Sequence, residues 1–237
     1  MKGWGLVSGY SWNRRGTAMY ISEIWRYPVK SMAGEMLRRS QLSVSGIDGD
    51  RAIQVRDAEG HTVTSRTFPG LLGLRATMDD RMQALVDGRP WTDKRVLAAV
   101  QDIVGPGARL VEDDSRDRFD ILPLLVATDG AVAAFGRDRR RLRPNIIVGG
   151  VEGMDERTWE GGQLMIGDVV VGIHDLRGRC IMTTFDPDTL EHDPTVLRDI
   201  VKRFGGKLAL NCEVLAGGTI EAGQEVTLRR TAARARR

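Results

Sequence analysis

The chain has 237 residues, 41% of them hydrophobic and 28% charged, with a net charge of +3. That is room for one large or two small globular domains with a proper core. No apolar run approaches the roughly 18 residues of a membrane span, and the opening lacks the apolar stretch of a secretory signal. Two cysteines, Cys180 and Cys212, exclude a disulfide framework and a four-thiolate iron–sulfur cluster within the chain.

Residues 1–18, with Trp4, Trp12, Arg14 and Arg15, read as a flexible N-terminal extension. Residues 19–27 then alternate apolar and polar side chains up to Pro28, the period of a strand with one buried face, and 51–56 repeat the pattern. Asp57-Ala58-Glu59-Gly60 turns into 61–64, residues 71–78 form another apolar strand, and Asp87-Gly88 marks a tight turn. Thr92 caps a helix with Val96, Leu97, Val100, Ile103 and Val104 on its apolar face, and Gly105 ends it. The seam falls at this helix, giving a first β-rich domain over 19–91 and a second over 92–230.

Strands resume at 108–112 and 122–127. A short helix over 128–135 leads into Arg137-Asp138-Arg139-Arg140-Arg141-Leu142-Arg143, which reads as a solvated basic face. Residues 146–148 form a strand, and 163–166 and 169–171 flank the hairpin turn Gly167-Asp168. Asp193 and Pro194 open a helix with Val196, Leu197, Ile200, Val201 and Phe204 on one face, closed by Gly205. Two last strands end at Leu228, and 231–237 form a basic C-terminal tail. Many short strands, glycine turns and few helices predict a mainly β fold, two closely packed β-barrel-like domains with a few peripheral helices.

Three segments carry candidate chemistry. Gly178-Arg179-Cys180-Ile181-Met182-Thr183-Thr184-Phe185-Asp186-Pro187 places one cysteine between Arg177 and Arg179. Flanking cations favour the thiolate, the form that attacks electrophiles or binds soft metals, although an isolated cysteine is most often buried and inert. Tyr27-Pro28-Val29-Lys30-Ser31 leaves its strand through a stiff proline into an irregular loop where donors point outward. Arg143-Pro144-Asn145 joins a phosphate-gripping guanidinium to an amide that offers donor and acceptor together. Cys212, in a strand-like run with no adjacent cation, reads as a packed small hydrophobe. His174 and Asp175, adjacent on a strand, point to opposite faces, and His61 and His192 have no ligand spacing with either cysteine.

In this order the segments resemble MOSC-domain proteins that carry a MOSC N-terminal β-barrel domain, in the amidoxime-reducing branch of the family. The resemblance extends through Gly46-Ile47-Asp48-Gly49-Asp50-Arg51, Asp120-Ile121-Leu122-Pro123, Asn211 and Gly218-Thr219-Ile220, covering roughly 20–228. It implies a molybdenum–molybdopterin cofactor with Cys180 as the one protein ligand to the metal. Lys30, Ser31 and Arg51 then meet the cofactor's phosphate end, Arg143, Asn145 and Arg179 hold it, Asp120 contacts the pterin, and Asn211 lines the same pocket. The implied reaction is reduction of a small N-oxygenated (N-hydroxylated) substrate by oxygen-atom transfer to the metal. Electrons then come from a separate donor protein, because the chain has no second redox centre.

The rival reading is a non-catalytic carrier, in which Cys180 holds sulfur or the cofactor for delivery. Unlike some relatives, the chain lacks the cysteines for a fused ferredoxin-like domain and any aminotransferase-sized segment ahead of Met19, and its 188–204 segment is compact. Zinc-finger spacing and RNA-binding aromatic motifs are absent, so no nucleic-acid partner is expected. A cytoplasmic location, away from membranes, is expected from the free thiols.

Overall fold

The computed structural model describes residues 18–115 and 118–230. The expected basic tail lies outside the described residues, as does the N-terminal extension apart from Ala18. The fold is mainly β, as expected, and the described residues contain three α-helices. None of these helices is long and apolar enough to cross a membrane.

The first strand, Met19–Arg26, alternates as its sequence requires, burying Met19, Ile21 and Ile24. Its partners lie far along the chain. It pairs antiparallel with Ile146–Gly149 on one side and Glu225–Arg229 on the other. These pairings close a seven-stranded barrel that runs Ile146–Gly149, Leu124–Thr128, Lys207–Ala216, Val169–Gly178, Gln163–Ile166, Glu225–Arg229 and back to Met19–Arg26. Closure leaves no unpaired edge between those strands. Leu124–Thr128 and Ile146–Gly149 are parallel neighbours, and helix α2, Asp129–Phe135, lies between them in sequence. The barrel interior is filled by Ile24, Leu124, Ile146, Leu164, Val171 and their neighbours.

Three small sheets surround the barrel. Ile53–Arg56 lies between Arg109–Glu112 and Thr62–Val63, Arg39–Ser43 between Gly218–Glu221 and Gly46–Ile47, and Ala84–Val86 between Ala76–Met78 and Arg89–Pro90. Val29, Met32, Val55, Leu71, Val86 and Val100 build a second core there, the last supplied by α1, Lys94–Val104. A third core packs α2 against α3, Thr195–Phe204, through Phe135, Leu142, Ile200 and Leu208.

Local signals failed in two places. Residues 71–78 are not one strand, because Pro69 opens a 3-10 turn over Pro69–Gly73 and only Ala76–Met78 is extended. The cap of α1 is Asp93 rather than Thr92, its carboxylate accepting from Arg95 N at 2.7 Å. The cap of α2 is Thr128, whose hydroxyl accepts from Ala131 N at 3.1 Å, and α3 ends at left-handed Gly205 as its sequence requires.

Candidate functional site

A cavity of 340 Å³ lies where the barrel meets the N-terminal loops. All nine residues singled out above line it: Lys30, Ser31 and Arg51 from the first part of the chain, and Asp120, Arg143, Asn145, Arg179, Cys180 and Asn211 from later segments.

The backbone around it is locally strained. Ser31, Arg51 and Arg143 adopt positive φ angles of 72°, 55° and 55°, a region that costs a non-glycine residue roughly 1 kcal/mol or more. Tertiary contacts hold them there. Arg51 N donates to Tyr27 O at 2.7 Å, and Lys30 N to Ile53 O at 2.8 Å. Arg143 is the left-handed cap of the 3-10 turn Arg139–Leu142.

Asp50 is the hub beneath these loops. Fully buried, it accepts from Tyr27 N at 2.7 Å and Asn145 Nδ2 at 3.1 Å, and it pairs with Arg51. The Asn145 amide also donates to Trp25 O at 3.3 Å and accepts from Leu125 N at 3.1 Å and Arg51 Nη1 at 3.4 Å. Its side chain therefore ties the barrel to the N-terminal loops and aims Arg51. Asn211 does similar work on the opposite wall, accepting from Arg177 Nη1 at 3.2 Å and donating to Asp175 Oδ1 at 2.8 Å.

Seven cationic side chains line the cavity, Lys30, Arg51, Arg66, Arg141, Arg143, Arg177 and Arg179, against the single carboxylate of Asp120. Asp120 pairs with Lys30 at 3.2 Å, Arg66 at 2.6 Å and Arg177 at 3.3 Å. Burial pushes its carboxyl up, but those three cations outweigh burial and hold it below the usual carboxylate range. Arg143 and Arg179 have no carboxylate at ion-pair distance among the described residues. The Arg143 guanidinium carbon stands 4.2 Å from the Tyr27 ring centre. Arg179 Nη2 donates to Leu142 O at 2.7 Å, while its buried Nε has no partner. Burial pulls both guanidinium groups down to about 10, and the Arg51 charge adds to the effect on Arg143. Burial likewise pushes the Tyr27 phenol up to about 12, although Arg143 and Arg51 oppose it.

Cys180 is half-buried at the head of the 3-10 turn Ile181–Thr184. Thr183 closes that turn by donating both N and Oγ1 to Cys180 O, at 3.1 and 2.9 Å, and Thr184 Oγ1 donates to Ile181 O at 2.6 Å. The threonine pair thus shapes the loop rather than entering the chemistry. Arg141 clips the loop from the other side, donating to Thr183 O at 3.3 Å and to Asp186 Oδ2 at 2.8 Å. Cys212 is fully buried in the barrel core, where burial pushes its thiol up.

Two expectations need correction. The basic cluster is not a solvated face: Arg139 pairs with Glu23 at 2.7 Å, Arg140 with Asp138 at 2.7 Å and Asp188 at 2.6 Å, and Arg141 with Asp186. His174 Nδ1 and Asp175 Oδ1 approach to 3.6 Å because the strand register shifts between Ile173 and Asp175, but this exposed pair lies off the cavity. Sequence reasoning also left out Asp50, Arg66, Arg141 and Arg177 as site residues. Asp50 and Arg177 stand beside motif residues and were within reach, whereas Arg66 arrives through the fold alone. Among the described residues no three His, Cys, Asp or Glu side chains gather to hold a metal ion.

The MOSC N-terminal beta barrel domain family matches residues 18–120, and the MOSC domain family matches 132–227. Mitochondrial amidoxime reducing component 2 from Homo sapiens is 26% identical, over 82% of this chain and 76% of its own length. The molybdenum cofactor sulfurase of Caenorhabditis elegans is 23% identical, over 75% of this chain and 30% of its own. The crystal structure of the YUAD protein from Bacillus subtilis shares the fold, with a TM-score of 0.52 and 12% identity over 91% of this chain and 98% of that one. With both domains matched in order along the barrel and the loops that line its cavity, the chain belongs to the MOSC-domain proteins that carry a MOSC N-terminal β-barrel domain.

Proposed function

We propose that this protein is a molybdenum-cofactor-dependent oxidoreductase that reduces small N-oxygenated molecules, with Cys180 as the protein ligand to the metal. One observation carries the reading: Cys180 opens onto the same cavity as seven cationic side chains, with one carboxylate in the lining. A molybdopterin is a phosphate-bearing anion with a flat hydrogen-bonding ring. The donor set fits it, since Arg143 and Arg179 are guanidinium groups without carboxylate partners and the Arg179 Nε is an orphaned buried donor.

When bound, the cofactor would supply oxygen-accepting, two-electron chemistry for an N–O group, with two electrons and two protons carrying the oxygen away as water. The chain's own residues bind and orient. Lys30, Arg143 and Arg179 grip the phosphate end, and Arg51 is aimed at it by Asp50 and Asn145. Asp120 keeps Lys30, Arg66 and Arg177 directed inward by offsetting their mutual repulsion. Cys180 Sγ provides a soft ligand, held in place by the Thr183 and Arg141 contacts of its loop. Phe119, Leu124 and Met182 supply apolar wall. Electrons come from a separate donor protein, and the free thiols suit a cytoplasmic setting.

The partial exposure of Cys180 also suits a carrier that delivers sulfur or the cofactor. Metal and pterin analysis of protein purified from a host that makes the cofactor separates the two. Near-stoichiometric molybdenum together with reduction of an N-hydroxylated substrate by a chemical electron donor, both lost on Cys180→Ser, supports the oxidoreductase. Bound cofactor without turnover, or no molybdenum in the wild-type protein under those conditions, favours the carrier.

A further inference from the structure

A second cavity, of 440 Å³, shares Arg141, Arg143 and Met182 with the first, so a single layer of side chains separates the two. Its chemistry differs from that of the first. Trp25, Tyr27 and Phe185 give it aromatic walls, and four arginines face one carboxylate, Asp188. The rings are fixed by their neighbours. Trp25 Nε1 donates to Glu23 at 2.6 Å, Tyr27 OH donates to Pro144 O at 3.1 Å, and Phe185 stacks on His192 with ring centres 4.9 Å apart. Such walls are pre-organised for a flat apolar body.

Charge sets the polarity of the cavity. Arg140 is bound to Asp138 and Asp188, and Arg141 to Asp186. Among the described residues, Arg75 and Arg143 have no carboxylate at ion-pair distance. Arg143 belongs to both cavities, whereas Arg75 is exposed and lines only the second. An uncommitted guanidinium therefore marks the outer end, and the inner end abuts the wall that contains Met182, two residues beyond Cys180.

The geometry points to this cavity as the subsite for the unreactive body of the substrate: a planar aromatic group with a carboxylate at its outer end. The ring lies against Phe185 and Trp25, the carboxylate meets Arg75, and the reacting group is directed toward Met182 and the first cavity. This assignment rests on the reading of the first cavity given above.

The test is calorimetric titration of the full-length, cofactor-loaded protein with benzoate, with neutral benzamide and non-planar cyclohexanecarboxylate as comparison probes. Benzoate should bind one to one, at least fivefold more tightly than either comparison compound. Arg75→Gln should weaken it roughly tenfold, while Arg89→Gln, at an exposed cation that lines neither cavity, should leave it within twofold. Benzamide binding as tightly as benzoate, no benzoate binding, or a loss with Arg89→Gln but not with Arg75→Gln would overturn the assignment. The molybdenum content of the same preparation reports separately on the first cavity, so failure of one reading is distinct from failure of the other.

Discussion

The guanidinium carbon of Arg143 sits 4.2 Å from the centre of the Tyr27 ring. Arg51 reaches the same ring at 5.0 Å, so two cations from distant parts of the sequence share one aromatic support. Neither guanidinium is an isolated surface charge. Tyr27 is buried, its hydroxyl anchored to Pro144 O, and both arginines adopt left-handed backbone to reach it. An anion bound between them relieves their mutual repulsion.

Replacing either arginine should therefore weaken anion binding without unfolding the protein. Arg51→Ala or Arg143→Ala removes charge-assisted bonds worth roughly 1.5–3 kcal/mol, a loss of about ten- to hundredfold in cofactor affinity. The left-handed backbone strains alanine no more than arginine, so thermal unfolding should stay cooperative. The check is cofactor content, together with the rise in Tm that inorganic pyrophosphate gives the cofactor-free protein. An unchanged rise in both variants would contradict the shared grip.

The two thiols should behave differently. Iodoacetamide at neutral pH should label the half-exposed Cys180 of the cofactor-free protein and spare the fully buried Cys212, as read by mass spectrometry. Cys180→Ser should abolish or sharply reduce turnover with little change in stability. Cys212→Ala should keep turnover and cost about 1 kcal/mol of packing. Preferential labelling of Cys212 would remove the case for Cys180 as metal ligand.

Glu156 gives stability a pH dependence of its own. It is fully buried, with Oε2 accepting from Thr128 Oγ1 at 3.1 Å and Oε1 unpartnered, and burial raises its carboxyl above the ordinary value of 4.5. A folded-state pKa above the unfolded one means that the contribution is fully present below the unfolded value and is lost as pH rises through the folded one. Glu156→Gln removes this titration, so the variant should be more stable than wild type at neutral pH by on the order of 1 kcal/mol. Urea unfolding between about pH 5 and 8 should show the difference shrinking toward acid. A constant difference would assign the effect to packing.

Arg141 should control the order of the cysteine loop. Arg141→Ala removes its bonds to Thr183 O and Asp186. Amide exchange across 181–186 should then accelerate roughly tenfold, equivalent to about 1.4 kcal/mol, with little change in the barrel strands. Uniform acceleration across the whole protein would show a global rather than a local role.

The local elements were legible from the chain alone. The alternation of the first strand, the glycine turn at Gly167-Asp168, the short helix after Thr128 and the apolar face of α3 each depend on residues a few positions apart. The fold kept them because no distant contact opposed them. The residues of the candidate site were legible for another reason: their segments, in order along the chain, resemble the motifs of a known family, where side-chain type alone would have left Lys30 or Arg51 as ordinary surface charges.

Only the tertiary structure decided how those pieces meet. Met19–Arg26 closes the barrel against Ile146–Gly149 and Glu225–Arg229, pairings that no local periodicity specifies. Asp50 bonds to Asn145 across a sequence separation of 95 residues, and Arg66 comes to Asp120 through the packing of the small sheets. The basic cluster looked solvated because its acidic partners Asp186 and Asp188 lie in a distant loop. His174 comes within 3.6 Å of Asp175 where the register against the neighbouring strand shifts. Hydrophobic pattern and turn chemistry act over a few residues, whereas strand register, burial of charge and the convergence of cations on one cavity exist only after the chain has closed on itself.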